Sequence, residues 1–448
     1  MQLDPVKILI PLNIQTALAQ LHQAGFEAYV VGGCVRDTFL GKAPHDWDIT
    51  TSATPHEIRG VFGGYRQIDT GLKHGTVMVV MDSGLVEITT FRVDGKYSDG
   101  RRPDSVAFTS SITEDLARRD FTINACAITG TLLIDPFGGR EDAKNRLIRC
   151  VGDPVKRFTE DALRILRGIR FAAVLDFKVE EKTKTAMLEC RHLLENVSQE
   201  RITAEFCKTL PGTNVKNTLL EFKDILGFLL PEIKDMIGFD QHNLYHVYDV
   251  FEHSLNAVES IESDIILRTA MFFHDVGKPA CYSLDEKAVG HFYGHPEISA
   301  DMAGKILQRM RFSIAHSHAI TELIKYHDHP LELNSKSVKK LMNKLGEVQF
   351  RRLLKVKRAD ILAQNPAFAN ERLKKLDILE GILNGILATN ACITLRDLAV
   401  NGDDLILLGI PAGKQIGDVL NRLLEMVLNE ETENSKDALL EKARAMIC

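Results

Sequence analysis

Residues 30–50 read VVGGCVRDTFLGKAPHDWDIT, and this stretch decides how the first third of the chain is read. An apolar run ends at Gly32-Gly33 and a helix-like pattern follows. Glycines at such a junction let the backbone come close to a triphosphate, and the start of the helix offers free N–H groups. Arg36, one turn in, can add charge to bound phosphates. A dozen residues on, His45-Asp46-Trp47-Asp48-Ile49-Thr50 alternates polar and apolar side chains. In a strand, residues two apart share a face, so Asp46 and Asp48 project together while Trp47 and Ile49 point into a core. Two neighbouring carboxylates repel unless cations join them, and Mg2+, which prefers oxygen ligands, suits the pair. Ions held there help to deprotonate an attacking hydroxyl and to steady a leaving pyrophosphate. A Gly-Gly turn or an Asp-x-Asp strand alone is often only structural; the two together favour metal-assisted phosphoryl chemistry.

The rest of the chain sets bounds. Its 448 residues are too many for one core, so two or more domains are expected. With 45% hydrophobic and 26% charged residues the composition is that of an ordinary globular protein. No apolar run reaches the length of a membrane span, and no membrane association is expected. The start, MQLDPVKILIPLN, lacks the pattern of a secretory leader. The eight cysteines are scattered without a Cys-x-x-Cys pair, which fits reduced thiols in a cytoplasm. A net charge of −6 means that any nucleic-acid site is a local patch. The sequence does not fix an oligomeric state.

Short β-rich runs (AYVVGG, GTVMVVM, LVEITTF, LLIDPFGG) alternate with helical signals up to residue 150, and from Phe158 onward the segments read as helices broken at prolines and glycines. The fold class is therefore α+β. Four parts are expected: a head over 1–150, a helical neck over 151–215, a helical body over 216–370 and a helical tail over 371–448. In the neck, a helix read from Asp161 to Ala173 gathers Ile165, Leu166, Ile169, Ala172 and Ala173 on one side. Asp161, Arg164, Arg167 and Arg170 fan across the other. Carboxylate and guanidinium groups can mimic the pairing partner of a base, since one accepts where the other donates. The plain alternative is a solvated face.

These stretches carry a family resemblance. GGCVRDTFLGKAPHDWDITTSATP resembles the first motif of class II CCA-adding enzymes and bacterial poly(A) polymerases, members of the polymerase-β-like superfamily. Leu116–Ala125, Asp135–Gly139 and Arg157–Arg164 resemble its later motifs in order. The resemblance implies a tRNA nucleotidyltransferase that adds CCA from CTP and ATP without a nucleic-acid template. It implies that Asp46 and Asp48 hold Mg2+, that Gly33 and Arg36 lie against the triphosphate, that Arg119 serves the nucleotide and that Asp120 contacts its ribose. Asp161 and Arg164 would select C and then A, with Arg167 and Arg170 reaching phosphate or ribose. Glu87, in VEITTF, is a candidate third carboxylate or a partnered strand-end acid. Thr70–Val77 (TGLKHGTV) and the polar loop Arg92–Asp104 resemble the complete CCA-adding version more than poly(A) or partial CC-adding or A-adding relatives.

A second constellation lies in the body. His253, His274-Asp275 and Asp360 follow the order seen in HD-domain phosphohydrolases, which the segment resembles. That resemblance makes His253, His274, Asp275 and Asp360 ligands of a divalent transition metal that activates water for phosphoester hydrolysis, with His295 and His327 as further ligands. An inert HD scaffold is the alternative. Nine lysines and arginines between Ser335 and Arg358 are a candidate track for tRNA phosphates or a solvated face. The Gly409–Gly417 turn is a candidate phosphate grip or a plain helix–helix turn.

Overall fold

The computed structural model describes residues 10–44, 46–71, 75–82, 84–95 and 106–446. The chain divides into two compact units, Met1–Pro231 and Glu232–Cys448. The change of composition near residue 150 is not a boundary between units, because both sides of it belong to the first.

The first unit is built on a mixed seven-stranded sheet. Its strands run β1 (Ala28–Val31), β2 (Asp48–Thr51), β3 (Arg66–Gly71), β4 (Thr76–Met81), β5 (Gly84–Thr90), β8 (Ala127–Thr129) and β9 (Leu132–Ile134), in the spatial order β3-β4-β5-β2-β1-β8-β9. Between them in sequence, β6 (Arg92–Asp94) and β7 (Val106–Phe108) form a separate antiparallel pair. All neighbours in the large sheet are antiparallel except β2 and β5. That parallel pairing sets Asp48 opposite Glu87 and Ile49 opposite Ile88. Helices α1 (Leu12–Gln23) and α3 (Pro55–Val61) contribute to a core with Val30, Ile49, Val77, Val79, Val86 and Ile88. The period of two in β4 puts Val77, Val79 and Met81 inward. Thr54 caps α3 in a reciprocal box with Glu57, and Pro55 sits at its first turn. The opposite face carries Tyr29, Val31, Phe91 and Leu116, the last from α4 (Ile112–Ala117).

Short α2 (Gly33–Phe39) follows β1 directly, and α5 (Gly139–Lys144) follows β9. Gly139 is required by close approach: a Cβ there would lie 2.1 Å from the Thr122 carbonyl oxygen. Helices α6 (Pro154–Glu160), α7 (Leu163–Leu175), α8 (Glu181–Glu189), α9 (Gln199–Thr209), α10 (Val215–Glu221) and α11 (Lys223–Leu229) complete the unit. The expected helix over Asp161–Ala173 is corrected here. Asp161 stands between α6 and α7 in an extended conformation, and its carboxylate accepts the Leu163 N–H, which breaks the helix at that point. Arg164 is also buried, so the face opposite the apolar stripe is not a solvated one.

The second unit is helical, with α12 (Val250–Glu259), α13 (Ile265–Phe273), α14 (His295–Arg309), α15 (Ile314–Tyr326), α16 (Ser335–Leu345), α17 (Glu347–Leu362), α18 (Ala369–Ala388), α19 (Gly402–Leu407), α20 (Lys414–Leu428) and α21 (Lys436–Arg444). Asp249 and Asp264 cap α12 and α13. A separate cluster around Leu405, Leu423 and Leu439 packs α19, α20 and α21 together. Gly413, at φ 127°, turns the chain into α20. No helix among the described residues is long and apolar enough to cross a membrane.

Candidate active site and candidate metal centre

A cleft of about 680 Å3 in the first unit gathers Gly33, Arg36, Asp46, Asp48, Arg119, Asp120, Asp161, Arg164, Arg167 and Arg170, the whole set named from sequence. Strand β2 begins at Asp48 rather than at Asp46, which lies just ahead of it. The alternation survives this shift: both aspartates are exposed, Trp47 packs partly against the core and Ile49 is buried. The Asp48 carboxyl is raised above its ordinary value, first by partial desolvation in the cleft; Arg119 opposes this and Asp46 adds to it. Glu87, across the strand pair, is raised by desolvation and by the charge of Asp48.

Seven arginines and five aspartates line this cleft, so its balance favours an anionic guest. Most of these charges are already committed. Asp37 takes Arg36, whose Nη1 also donates to Asn124 at 2.8 Å. Asp120 is buried against Arg167 at 2.5 Å and accepts from the Phe121 N–H and Asn124. Burial works to raise the Asp120 carboxyl, but Arg167 outweighs it and brings it down to about 2. Asp120 thus steadies Arg167, and its carboxylate has few free positions for a ribose. Arg170 pairs with Glu205 at 3.0 Å. Asp161 pairs with Arg201 at 2.9 Å. Asp46 and Asp48 differ: among the described residues no hydrogen bond or ion pair reaches either side chain. Free, adjacent carboxylates at the mouth of an arginine-lined cleft are the donor set that a hard divalent cation fits.

Arg164 spends three N–H groups on the Arg157 carbonyl, Glu160 and the Arg118 carbonyl. A guanidinium has five, so two are left over from these partners. Gly32, at φ 86°, admits the close turn, and a Cβ there would lie 3.2 Å from Arg119 Nη1. Four contributors were not singled out from sequence. Asp115, fully buried, anchors Arg118 at 2.8 Å and Arg119 at 3.4 Å, and these two arginines overcome its burial to hold its carboxyl low. Asn124 and Arg201 act as above. The ring of Phe171 lies 4.4–5.5 Å from the guanidinium carbons of Arg36, Arg167 and Arg170. The contacts of Asn124 with Arg36 and of Arg201 with Asp161 join residues far apart in the chain, whereas Asp115 reaches Arg118 and Arg119 within one helical turn. His45 of the first motif lies outside the described residues, as do Leu72–His74 and Lys96–Asp104, which carried part of the distinction between CCA-adding and other relatives.

The second unit holds a different cluster. Helix ends bring together His253 in α12, His274-Asp275 after α13, His295 at the start of α14, His327 after α15 and Asp360 in α17. All six are buried. His253 Nε2 lies 3.1 Å from His274 Nε2, 3.3 Å from Asp275 Oδ2 and 3.0 Å from Asp360 Oδ1. On the other side, His295 Nε2 lies 3.2 Å from His327 Nε2 and 3.4 Å from Asp275 Oδ1. Asp275 thus joins two groups of converging ligand atoms. Each imidazole is within hydrogen-bond distance of a carbonyl through Nδ1: His253 to Ala363, His274 to Met271, His295 to Phe292 and His327 to Ile324. With Nδ1 donating, the Nε2 lone pairs face one another. Neither oxygen of buried Asp275 accepts a well-formed hydrogen bond. Burial works against charge on His274, yet the neighbouring carboxylates of Asp275 and Asp360 outweigh it and raise the imidazole to about 10. Convergent imidazole nitrogens and buried carboxylate oxygens, one of them 2.7 Å from the Lys278 ammonium, fit divalent metal ions.

The basic stretch of Ser335–Arg358 is largely committed within the unit. Lys339 pairs with Glu430, Arg351 with Glu347, Lys355 with Glu262 and Arg358 with Asp377, while Lys357 donates to two carbonyls.

Comparison with known proteins matches three separate stretches of the chain. The poly(A) polymerase head domain matches residues 28–149, the "Probable RNA and SrmB- binding site of polymerase A" matches 176–237, and tRNA nucleotidyltransferase domain 2 matches 286–443. The CCA-adding enzyme of Lactobacillus helveticus is 35% identical over 436 residues, covering 96% of this chain and 95% of that enzyme. The CCA-adding enzyme of Enterococcus faecalis is 53% identical over 206 residues, 46% of this chain, and the matched part spans 50% of that enzyme. The crystal structure of the Bacillus stearothermophilus CCA-adding enzyme in complex with CTP superimposes with a TM-score of 0.70 at 29% identity, covering 97% of both chains. Head and cleft together define a nucleotidyltransferase with a helical body. The chain belongs to the family of CCA-adding enzymes.

Proposed function

We propose that this chain completes the 3′ end of tRNA, adding C, C and A from CTP and ATP, and that Asp46 and Asp48 hold Mg2+ while it does so. The observation that carries the residue assignment is the unpaired Asp46/Asp48 couple facing a cleft whose other acids are partnered. The tRNA 3′-oxygen bonds to the α-phosphorus, the bond to the β-phosphate oxygen breaks, and pyrophosphate leaves; the hydroxyl proton passes to solvent. Bound Mg2+ would supply Lewis-acid stabilisation of the phosphate charge. Arg36, Arg119, Arg167 and Arg170 face the triphosphate. Asp161 accepts from the exocyclic amine that C and A share, and the two free N–H groups of Arg164 donate to the ring edge. Uracil offers a carbonyl at the amine position and meets the Asp161 carboxylate with repulsion. Family membership and free thiols on all seven described cysteines support a reducing, cytoplasmic setting. Supplying tRNA that lacks CCA with CTP alone, ATP alone or both tests the reading. The expected products are CC, no extension, and CCA followed by a stop; long A tails from ATP alone would overturn it.

A second reading is favoured by the His–Asp cluster: an HD-type, metal-dependent phosphohydrolase in the same chain. Bound divalent ions would supply a nucleophilic water and charge neutralisation. His253, His274, Asp275 and Asp360 would hold one ion, and Asp275, His295 and His327 a second. Metal analysis of H274Q and D275N tests this, and unchanged metal content would sink it.

A further inference from the structure

We infer that Arg372 is the side chain that binds the substrate phosphoryl group at the body's His–Asp centre. The inference rests on the phosphohydrolase reading of that centre. A pocket of about 490 Å3 opens onto the cluster; its lining includes Asp275, His295, His327, Asp328, Asp360 and, from α18, Arg372. Charge in this pocket is unevenly matched. Lys278 is spoken for: its ammonium lies 2.7 Å from Asp275 Oδ2 and 2.9 Å from Gln241 Oε1. Arg372 is not. Its one hydrogen bond among the described residues goes to the neutral amide oxygen of Gln364. The acid beside it, Glu371, pairs with Lys375 at 2.9 Å instead. The guanidinium therefore keeps four of its five donors unused while half-buried in the pocket.

Gln364 explains why the group sits there. Its amide nitrogen donates to both oxygens of Asp360 at 3.0 and 3.1 Å, while its amide oxygen receives Arg372. Arg372 is thus fixed one side chain behind a ligand of the centre, aimed at the same space, without neutralising that ligand. A half-buried, carboxylate-free guanidinium calls for an anion, and its planar fork matches two phosphoryl oxygens. The ligand class is a phosphoester or its product phosphate. In hydrolysis, a water oxygen bonds to phosphorus, the ester P–O bond breaks, one water proton ends on the leaving oxygen and the other passes to solvent. Arg372 holds non-bridging oxygens throughout and gains strength as their charge grows.

The test is titration of inorganic phosphate into the full-length, manganese-loaded chain, followed by calorimetry, with metal per chain measured in parallel. Phosphate binding in the head is common to all variants and subtracts out. R372Q should retain the metal and bind phosphate at least tenfold more weakly; R372K, which restores charge without the fork, should fall between. Full metal with unchanged phosphate affinity in R372Q overturns the proposal alone. Loss of metal from R372Q also overturns it, because Arg372 would then act through Gln364 and Asp360. A wild-type chain that retains no metal in the body overturns the phosphohydrolase reading and this proposal with it.

Discussion

The head cleft and the body cluster both gather aspartates, and they do so in opposite ways. In the head, Asp46 and Asp48 are exposed, carry oxygen donors only and have no protein partner among the described residues. In the body, Asp275 and Asp360 are buried, surrounded by imidazoles, and Lys278 is pulled in beside them. An open pair of carboxylates suits an ion that arrives and leaves with its nucleotide. A buried, nitrogen-rich cage suits an ion that stays. Arginines follow the same contrast: the head lines its cleft with seven, most of them anchored, whereas the body pocket shows one that has no acid partner among the described residues.

Substitutions can break this comparison or sharpen it. The largest effect belongs to the open pair. D46N should cut nucleotide incorporation on the order of 10²–10³-fold, the scale for losing one preorganised electrostatic group at a reaction centre, with metal in the body unchanged. Next is D275N, which leaves the Lys278 ammonium buried without its carboxylate. The metal-free second unit should lose about 3–5 kcal/mol in denaturant unfolding while the head still binds CTP. If D275N is as stable as wild type, the body is not a cage held by charge.

A smaller effect concerns Asp120. Its carboxyl is held at about 2 in the folded chain against 3.8 ordinarily. A depressed carboxyl contributes stability that is present above the unfolded value and is lost as pH falls through the folded one. The wild type should therefore lose about 2 kcal/mol more than D120N between pH ~4 and ~2. Parallel acid-unfolding curves would refute the pairing with Arg167. Smaller again, R201Q should free Asp161 and lower the preference for CTP over UTP roughly tenfold, within the range of one bidentate contact. A selectivity equal to wild type would show that Arg201 does not position the reader. The smallest change is expected from K340A, on the basic stretch. If Lys340 touches a tRNA phosphate, the salt dependence of tRNA binding should soften by about one unit of slope; an unchanged slope leaves that helix a solvated face.

What could be seen in the sequence divides along the same physical line. The Gly-Gly turn and the Asp-x-Asp alternation are local patterns and share one cleft, while the body's histidines and aspartates, spread over five elements, were legible through their order. The helix through Asp161 was misphased because that side chain accepts its own chain's Leu163 N–H, a choice that periodicity cannot see. Arg201 was invisible because it acts on a residue brought near by folding, Asp161, 40 positions away, and Phe171 in part for the same reason, since it meets Arg36. The basic stretch looked free for the same reason: Glu262, Asp377 and Glu430 reach it from elsewhere in the chain.

The most direct test of the central account offers the wild-type chain four tRNAs, ending before CCA, in C, in CC and in CCA, with CTP and ATP together and sequences every 3′ end. Addition guided by the protein itself predicts that all four converge on CCA and that the complete tRNA gains nothing. Growth beyond the final A, or the same number of nucleotides added to each start, would contradict it.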